Sequence, residues 1–493
     1  MLRPWKLKID IQRNAGMAIY LQIAQCIIEE IQRGRLLSGT ALPGTRELAE
    51  NLGINRKTVM LAYDELVAQG WLSAEGKRGT FVSSAIPALN NKAFPASDSL
   101  AARSHAPRYT FYGGAMPASM LQARDMLDFG DGVPDTRLIP YEIISRAFRH
   151  ALIVSARANR LGYDDPRGTL ALREAIVSMV NMERGLNAGL QNVCSVRGSQ
   201  MGIFLAARLL VRQGDVVVME ELSYPPAREA FRACGAEVLS VGQDAQGLQV
   251  DELEGICRRQ RIRAVYVTPH HQFPTTVVMS ADRRLKLLML AEQYNFAIIE
   301  DDYDHEFHFS HHPVMPLASL DRWGRVIYVG SLSKVLAPGL RVGYLIAPEK
   351  IIDCCASEIM LIDRQGNAVV ELAAAELLNS GEVRRHVRRT LKTYSERRAV
   401  ASALVTKELG QAVRFDLPDG GLALWLRLDE RYNIDRLVRD AASLGVRILS
   451  SAEFSDAARP TPAIRLGYGN LNQDELAVGI QRLSRALQMQ RPS

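Results

Sequence analysis

A lysine at the end of a buried strand is the residue best placed to do chemistry. The apolar, β-branched run Val326–Ser331 predicts the strand, and Lys334 follows it in the sequence Ser-Leu-Ser-Lys. Burial lowers the pKa of a lysine and leaves its amine free to attack a carbonyl. Arg341 stands seven positions further on, where it and Ser331 can hold a phosphate. A carbonyl-reactive lysine beside a phosphate clamp is what a pyridoxal phosphate pocket requires.

Two different roles for this lysine compete with that one. A lone Ser-x-Ser-Lys is more often an exposed lysine at a strand end. The spacing of Ser331 and Lys334 also fits the S-x-x-K nucleophile of penicillin-binding enzymes, but their companion motifs S-D-N and K-T-G do not occur in the sequence. The lysine therefore needs support from other parts of the chain.

The region after Leu127 supplies that support. Apolar strands alternate there with helical stretches, which predicts a parallel sheet with covering helices, and ligands of such sheets lie beyond the carboxyl ends of the strands. Asp301 and Tyr303 follow one strand, where a carboxylate can keep a pyridine ring protonated and a phenol can bond its phenolic oxygen. Tyr224 follows another strand and can stack on the ring. The turn Gly198-Ser199-Gln200 opens a helix and can cradle a phosphate.

The first eighty residues have the pattern of a winged helix. Isoleucines recur every four positions from 19 to 31 and predict a first helix. Thr45 is predicted to cap a second, short helix that ends at Gly53, and Asn55 to cap a third. The start of the third helix carries Arg56-Lys57-Thr58, residue types that contact bases and phosphates. A glycine-flanked hairpin with the basic tip Lys77-Arg78 follows, although a three-helix packing module would share much of this pattern.

These segments resemble the GntR-type winged helix along its whole length. The resemblance rests on Gly39–Ala49, on Arg56–Val59 and on Gly79–Val82, with Pro-Gly-Thr where Pro-Ser-Ser is usual. It implies that Arg46, Arg56 and Thr58 face double-stranded operator DNA. The predicted DNA-binding residues are therefore Arg46, Arg56, Lys57, Thr58, Lys77 and Arg78.

The longer region resembles the fold-type I aminotransferases in the order and spacing of its motifs. They are Tyr163–Gly168, Gly198–Gln200, Tyr224-Pro225, Thr268–Pro274, Glu300–Asp304 and Ser331–Tyr344. A winged helix fused to such a domain is the layout of the MocR subfamily of regulators. The resemblance implies that Lys334 is the Schiff-base lysine, that Tyr163 reaches the phosphate of a second subunit, and that Arg465 grips an α-carboxylate. The predicted cofactor-binding residues are Lys334, Asp301, Tyr303, Tyr224, Gly198, Ser199, Gln200, Ser331, Ser333, Arg341 and Tyr163.

The expected fold is a mainly α winged helix-turn-helix joined to an α/β fold-type I, pyridoxal phosphate-dependent aminotransferase-like domain with a small C-terminal α+β domain. The predicted boundaries are 1–83 for the DNA-binding domain, 84–126 for a linker, 127–385 for the large domain and 386–493 for the small one. The linker prediction rests on the Ser, Ala, Pro and Asn content of that stretch.

The composition excludes several classes of protein. No run approaches the roughly 18 apolar residues of a membrane span, and the six cysteines form neither a C-x-x-C pair nor a regular framework. A cytoplasmic protein with no membrane partner is expected. The net charge of +6 permits a nucleic-acid partner. A histidine-rich segment, His305–His312, could bind zinc or nickel, but no metal site is predicted because the segment directly follows a cofactor-contacting tyrosine.

The favoured function is a homodimeric transcription regulator that binds operator DNA and pyridoxal phosphate and senses a small amino acid, an amine or pyridoxal phosphate itself. The alternative is an active aminotransferase with an accessory DNA-binding domain. Gln272-Phe273, Thr275-Thr276 and Glu221–Ser223 depart from the usual aminotransferase motifs around the cofactor. Efficient turnover is therefore not expected, while amine exchange at the cofactor or a half-transamination stays open.

Overall fold

The computed structural model describes residues 9–12, 16–86, 110, 126–130, 132–159, 161–309, 314–457 and 461–490. The chain divides into two compact units, Met1–Met116 and Pro117–Ser493. Most of the predicted linker, 84–126, lies outside the described residues.

The N-terminal unit contains three helices and a hairpin. They are α1 (Ile19–Gln32), α2 (Thr45–Leu52), α3 (Arg56–Ala68), β1 (Leu72–Ala74) and β2 (Thr80–Val82). The isoleucine stripe of α1 packs on α3, and Ile23, Ile27, Val59 and Leu66 are fully buried. β1 and β2 pair antiparallel around a short 3-10 turn, Gly76–Arg78. This is the winged helix that the sequence predicts.

The helix ends of this unit show which local predictions are correct. The Asn55 side chain accepts a hydrogen bond from the Lys57 backbone N–H at 2.8 Å, so the predicted cap of α3 is confirmed. Gly53 ends α2 at φ +61°, a left-handed conformation that suits glycine. The predicted cap by Thr45 is wrong, because Gly44 occupies the N-cap position and no side chain caps the helix.

The C-terminal unit is built on a mixed central sheet and several smaller sheets. Its strands are β3 (Leu127–Asp128), β4 (Val193–Val196), β5 (Val216–Glu220), β6 (Glu237–Val241), β7 (Gln243–Asp244), β8 (Gly247–Leu248), β9 (Ala264–Val267), β10 (Ala297–Asp302), β11 (Val326–Ser331), β12 (Gly343–Ile346), β13 (Val413–Arg414), β14 (Ala423–Leu428), β15 (Val446–Arg447), β16 (Leu449–Ser450) and β17 (Ala463–Gly467). The helices are α4 (Tyr141–Arg157), α5 (Leu170–Arg184), α6 (Ser199–Leu210), α7 (Pro225–Ala233), α8 (Val250–Arg259), α9 (Ala281–Tyr294), α10 (Leu317–Leu320), α11 (Glu349–Ile362), α12 (Ala368–Asn379), α13 (Glu382–Leu409), α14 (Ile434–Ser443) and α15 (Gln473–Gln488).

Seven strands form the central sheet, in the order β4-β12-β11-β10-β9-β5-β6. All pair in parallel except β12, which runs antiparallel to both of its neighbours. Apart from the edge strand β6, these strands are almost entirely buried, as expected for a sheet covered on both faces. The predicted α/β fold is confirmed. Because β4 and β11 both run antiparallel to β12, they end at the same edge of the sheet as β10, β9 and β5.

A second, antiparallel sheet in the order β13-β14-β17-β16 lies near the C-terminus. β3, at the start of the predicted large domain, pairs in parallel with β15, which lies more than 300 residues later in the chain. A strand of the predicted large domain thus pairs with one of the predicted small domain. The predicted boundary at 385 falls inside α13, a helix of 28 residues. A long helix thus continues from one predicted domain into the other.

A buried ion pair ties α13 to the loop before α4. Arg397 donates to Asp135 at 2.8 Å and to the Gly469 carbonyl at 2.5 Å, and both charged side chains are less than a tenth exposed. The variant Arg397→Met should lower the free energy of unfolding by about 2 kcal/mol, because the buried carboxylate loses one charged partner and keeps the other, Arg137. Urea unfolding measures the loss. The exposed pair of Arg431 with Asp429 provides the control, and the prediction fails if Arg431→Met costs as much.

Candidate cofactor and DNA sites

Lys334 lies three residues beyond β11, at the edge of the sheet where the parallel strands end. Its ammonium nitrogen is 4.3 Å from the centroid of the Tyr303 ring and donates to the Gly132 carbonyl at 3.5 Å. The side chain is partly buried. The lysine therefore projects into a pocket walled by an aromatic ring, and it is not the freely exposed lysine of the simplest alternative.

Asp301 is the pocket's buried acid. It lies near the end of β10, is 4% exposed, and accepts a hydrogen bond from the Tyr266 hydroxyl on Oδ2 at 2.7 Å. Its other oxygen, Oδ1, is buried without a hydrogen-bond partner in the described part of the chain. Burial raises the pKa of Asp301 to about 7, against the opposing effects of Tyr266 and Lys334. A protonated pyridine nitrogen is a donor that would satisfy Oδ1 and keep this carboxylate charged.

The raised pKa of Asp301 predicts a pH dependence in the cofactor-free protein. The native carboxyl holds its proton more tightly than the unfolded one, whose pKa is 3.8, so stability should fall as the pH rises from about 4 to about 7. Asp301→Asn should remove this contribution, worth up to roughly 4 kcal/mol, while keeping an acceptor for Tyr266. Urea unfolding of both proteins at several pH values measures the difference. Parallel pH profiles would contradict the prediction.

Arg465, on β17, belongs to the same pocket, because its Nη2 lies 3.3 Å from the position that a Cβ on Gly132 would take, and the Gly132 carbonyl receives Lys334. Its side chain is fully buried, with its guanidinium carbon 4.5 Å from the centroid of the Phe273 ring and one N–H donating to the Pro274 carbonyl at 2.5 Å. Two further nitrogens, Nε and Nη2, make no hydrogen bond to the described residues. A buried guanidinium with unused donors is matched to a carboxylate. Tyr303 lies nearby and donates its hydroxyl to the His271 carbonyl at 3.0 Å.

The predicted phosphate clamp surrounds Gly198 and Arg341. Gly198 has φ +77°, and a Cβ there would lie 2.5 Å from the Arg341 guanidinium, so the close approach requires glycine. Arg341 also donates to the Arg197 carbonyl at 3.1 Å. Ser199 begins α6, no side chain caps this helix, and the start of a helix favours an anion. A guanidinium thus lies against the start of a helix, as phosphate binding needs.

The other predicted cofactor residues occupy varied positions. Ser331 Oγ accepts from the Ser333 backbone N–H at 3.2 Å, and Ser333 Oγ is buried without a described partner. Gln200 donates to the Pro226 carbonyl at 3.0 Å, away from the turn itself. Tyr224 packs edge-on against Phe273, with ring centroids 5.3 Å apart. Tyr163 is 79% exposed, with its ring centroid 4.8 Å from the Arg364 guanidinium carbon, so it does not lie in the pocket of its own chain.

Three contributors to the pocket went unrecognised in the sequence. Tyr266 positions Asp301, the Gly132 carbonyl receives Lys334, and the His271 carbonyl receives Tyr303. Only Tyr266 left a signal, because a phenol in the middle of the buried strand Ala-Val-Tyr-Val needs a hydrogen-bond partner. Backbone carbonyls carry no signal of this kind.

The predicted DNA-contacting residues lie on one helix-turn-helix and its wing. Arg46, Arg56 and Lys57 are exposed, and Thr58 is half-buried. Arg56 donates to Thr45 at 3.3 Å, which holds the start of α3 against α2. Arg78 is exposed at the wing and pairs with Glu75 at 2.8 Å. The Lys77 side chain is outside the described part of the structure.

Comparison with known families defines the class of this protein. The family of aminotransferases of class I and II matches residues 124–483, and the gntR family of bacterial regulatory proteins matches residues 19–82. The structure of Pyrococcus horikoshii kynurenine aminotransferase in complex with PMP matches with a TM-score of 0.70 at 27% identity, over 76% of this chain and 94% of that one. The class is therefore a GntR-type winged helix joined to an aminotransferase fold.

Full-length relatives identify the family. The chain is 30% identical over 479 residues to the probable rhizopine catabolism regulatory protein MocR of Rhizobium meliloti, over 97% of this chain and 95% of that protein. It is 32% identical over 477 residues to the HTH-type transcriptional regulator TauR of Rhodobacter capsulatus, over 94% and 96%. The chain belongs to the MocR subfamily of GntR-type transcription regulators. Among the described residues, no helix has the length and apolarity that crossing a membrane demands.

Proposed function

We propose that this regulator holds pyridoxal phosphate on Lys334, binds operator DNA through its winged helix, and responds to a small amino acid or amine. The observation that carries the proposal is the convergence of Lys334, Asp301 and Arg465 at one edge of the sheet. The Lys334 amine would join the carbonyl carbon of the cofactor, and the Asp301 carboxylate would accept a hydrogen bond from its ring nitrogen. The Arg465 guanidinium would pair with the carboxylate of a ligand. The absorption spectrum of the purified protein tests it.

The polar groups of the pocket fit the cofactor. Asp301 Oδ1 has capacity to accept a hydrogen bond from a protonated ring nitrogen, and Arg341 lies beside a helix start with no Cβ in the way at Gly198. When bound, pyridoxal phosphate supplies a carbonyl carbon that amines can join and a ring that withdraws electrons from it. Ser333 Oγ, buried and without a described partner, is a further donor for the phosphate.

Ligand sensing would follow from the position of two residues. A ligand amine would displace Lys334 from the cofactor, and a ligand carboxylate would pair with the unused donors of Arg465. These contacts differ between the liganded and unliganded protein, and such a difference is what lets a ligand favour one conformation over another. If pyridoxal phosphate is itself the signal, operator binding should change on its addition alone.

A homodimer would complete the cofactor site. Tyr163 is 79% exposed and Leu361 is 81% exposed, with Leu161 and Ile362 also more than half exposed. Large apolar side chains at this exposure mark an interaction surface. A second copy of the chain would cover them and would receive Tyr163 at its phosphate. Sedimentation velocity of the full-length protein tests the dimer.

An active aminotransferase with an accessory DNA-binding domain is the alternative. Full-length similarity to MocR and TauR includes the winged helix and therefore favours the regulator. Incubation with an amino acid and a keto acid separates the two. Sustained product formation over many turnovers would support the enzyme, whereas at most one turnover per chain fits a sensor.

Arg56→Ala should weaken binding to DNA taken from the promoter region beside the protein's own gene. Arg56 is exposed at the first turn of α3, the end of a recognition helix that enters the major groove. Losing a base or phosphate contact costs roughly 1–3 kcal/mol, or about fivefold to 150-fold in affinity. Fluorescence anisotropy measures the affinity. Arg35→Ala is the control, since Arg35 is exposed and pairs with Glu30 outside that helix. Equal loss in both variants would contradict the assignment.

A further inference from the structure

Three imidazole rings come together beside the end of β10. His270 lies in the loop after β9, while His305 and His308 follow β10. Their ring centroids are 4.7 Å apart for His270 and His305, 5.5 Å for His270 and His308, and 5.7 Å for His305 and His308. The sheet therefore adds His270 to the histidine-rich segment, from a position 35 residues earlier in the sequence.

A carboxylate completes the cluster. Potential ligand atoms of His270, Asp302 and His305 all lie within 4.8 Å of one another. The three residues are 3%, 2% and 5% exposed, so they form a buried donor set and not a solvated surface patch. His305 Nδ1 lies 2.8 Å from Asp302 Oδ2, and His270 Nε2 lies 3.4 Å from His308 Nδ1. His308 is only partly buried and is therefore the member of the cluster nearest to solvent.

Two atoms of this cluster lack the partners that buried polar atoms require. Nδ1 of His270 and Oδ1 of Asp302 are both buried without a hydrogen bond to the described residues. Such unsatisfied atoms are rare in folded proteins, and a bound ion is one way in which they are satisfied. The neighbouring His271 is not one of the residues whose ligand atoms converge, and its Nδ1 lies 2.9 Å from Asp304, outside the cluster.

The charges around the cluster leave room for a cation. Two buried arginines act on Asp302 electrostatically. Arg184 is paired with Glu306 and reaches Asp302 through the Tyr328 hydroxyl, which donates to Asp302 at 2.6 Å. Arg284 donates to three backbone carbonyls and makes no direct contact with Asp302. Among the described residues, no arginine or lysine forms a direct ion pair with Asp302, whose Oδ2 lies 2.8 Å from His305 Nδ1. Imidazole nitrogens combined with one carboxylate oxygen are the ligands of zinc, nickel and cobalt ions.

We propose that His270, Asp302 and His305, with His308 at the open side, bind one divalent transition-metal ion of this type. The proposal departs from the sequence-based prediction of no metal, and it does not depend on the cofactor assignment. Asp302 precedes Tyr303 and follows Asp301, so an ion here would stiffen the segment that carries both predicted cofactor contacts. Zinc alone is the probe used to test it.

The experiment is a calorimetric titration of chelator-treated full-length protein with Zn²⁺. Wild-type protein should bind one equivalent, and His270→Ala and His305→Gln should each weaken that binding by about a hundredfold or more. His150→Ala is the matched control, because His150 is an exposed histidine of α4 that pairs with Glu376 of α12, outside the cluster. The melting temperature of wild-type protein should also rise with Zn²⁺, and the rise should disappear in both cluster variants.

The outcomes decide the proposal in either direction. Variants that melt like wild type without zinc but fail to bind it would support the site. The proposal would be overturned if both cluster variants bound zinc as tightly as wild-type protein. It would also be overturned if zinc binding were lost only when His311 and His312 were both replaced by alanine. No heat and no thermal shift in wild-type protein would also overturn it, and would leave His305 and Asp302 as a metal-free buried pair.

Discussion

Lys334→Ala should abolish the covalent attachment of pyridoxal phosphate to the full-length protein. Lys334 is the amine that lies over the Tyr303 ring in the pocket that holds Asp301, so its loss removes the group that would join the cofactor carbonyl. The visible absorption band of the lysine-bound cofactor should be absent from the variant. Borohydride reduction and mass spectrometry of peptides should place the cofactor on Lys334 in wild-type protein and on no lysine in the variant.

DNA binding gives the same variant a second readout. Lys334 belongs to the C-terminal unit and Arg56 to the other, so the variant should bind promoter DNA within about twofold of wild type while losing its response to added amino acids and amines. Lys350→Ala, an exposed lysine on α11, is the control for loss of any lysine. A visible band that persists in Lys334→Ala, or a wild-type protein that stays colourless with pyridoxal phosphate, would overturn the cofactor proposal.

Local sequence patterns were enough to predict the strands and the edge where their polar residues meet. The β-branched runs predict β4 and β11 at the residues where they occur, because buried strands need apolar side chains on both faces. The small-residue turn at Gly198 and the asparagine cap at Asn55 were likewise readable, since each requires a particular residue type at one position. The positions of Asp301 and Lys334 relative to their strands predict that both lie near strand ends, although β10 extends through Asp302 and therefore includes Asp301.

Pairings between distant segments could not be predicted in this way. Nothing in the apolar run Gly343–Ile346 indicates that β12 is antiparallel, because periodicity reports burial and not direction. The hydrogen bond from Tyr266 to Asp301 joins neighbouring strands 35 residues apart in the sequence, and that from Lys334 to Gly132 spans 202 residues. Such contacts depend on strand order and register, which the local pattern does not contain. For the same reason, the local pattern does not show that His270 lies beside His305 and His308.

Arg465→Met should separate ligands that carry a carboxylate from those that do not. The guanidinium is fully buried and has unused donors at Nε and Nη2, and methionine keeps an unbranched side chain without the charge. Two charge-assisted hydrogen bonds contribute roughly 3 kcal/mol, so the concentration of an α-amino acid needed to shift the cofactor spectrum should rise about a hundredfold. The matching primary amines should act on the variant and on wild-type protein at similar concentrations.

The comparison requires a variant that still holds the cofactor. Arg465 also donates to the Pro274 carbonyl, so its loss costs stability, and the visible band and melting temperature must be recorded first. Arg465→Lys is the matched variant, because it keeps the charge but loses the planar fork, and it should lie between wild type and Arg465→Met. If Arg465→Met responds to amino acids as wild type does, the carboxylate is bound elsewhere. If it loses its response to amines as well, Arg465 supports the pocket and does not select the ligand.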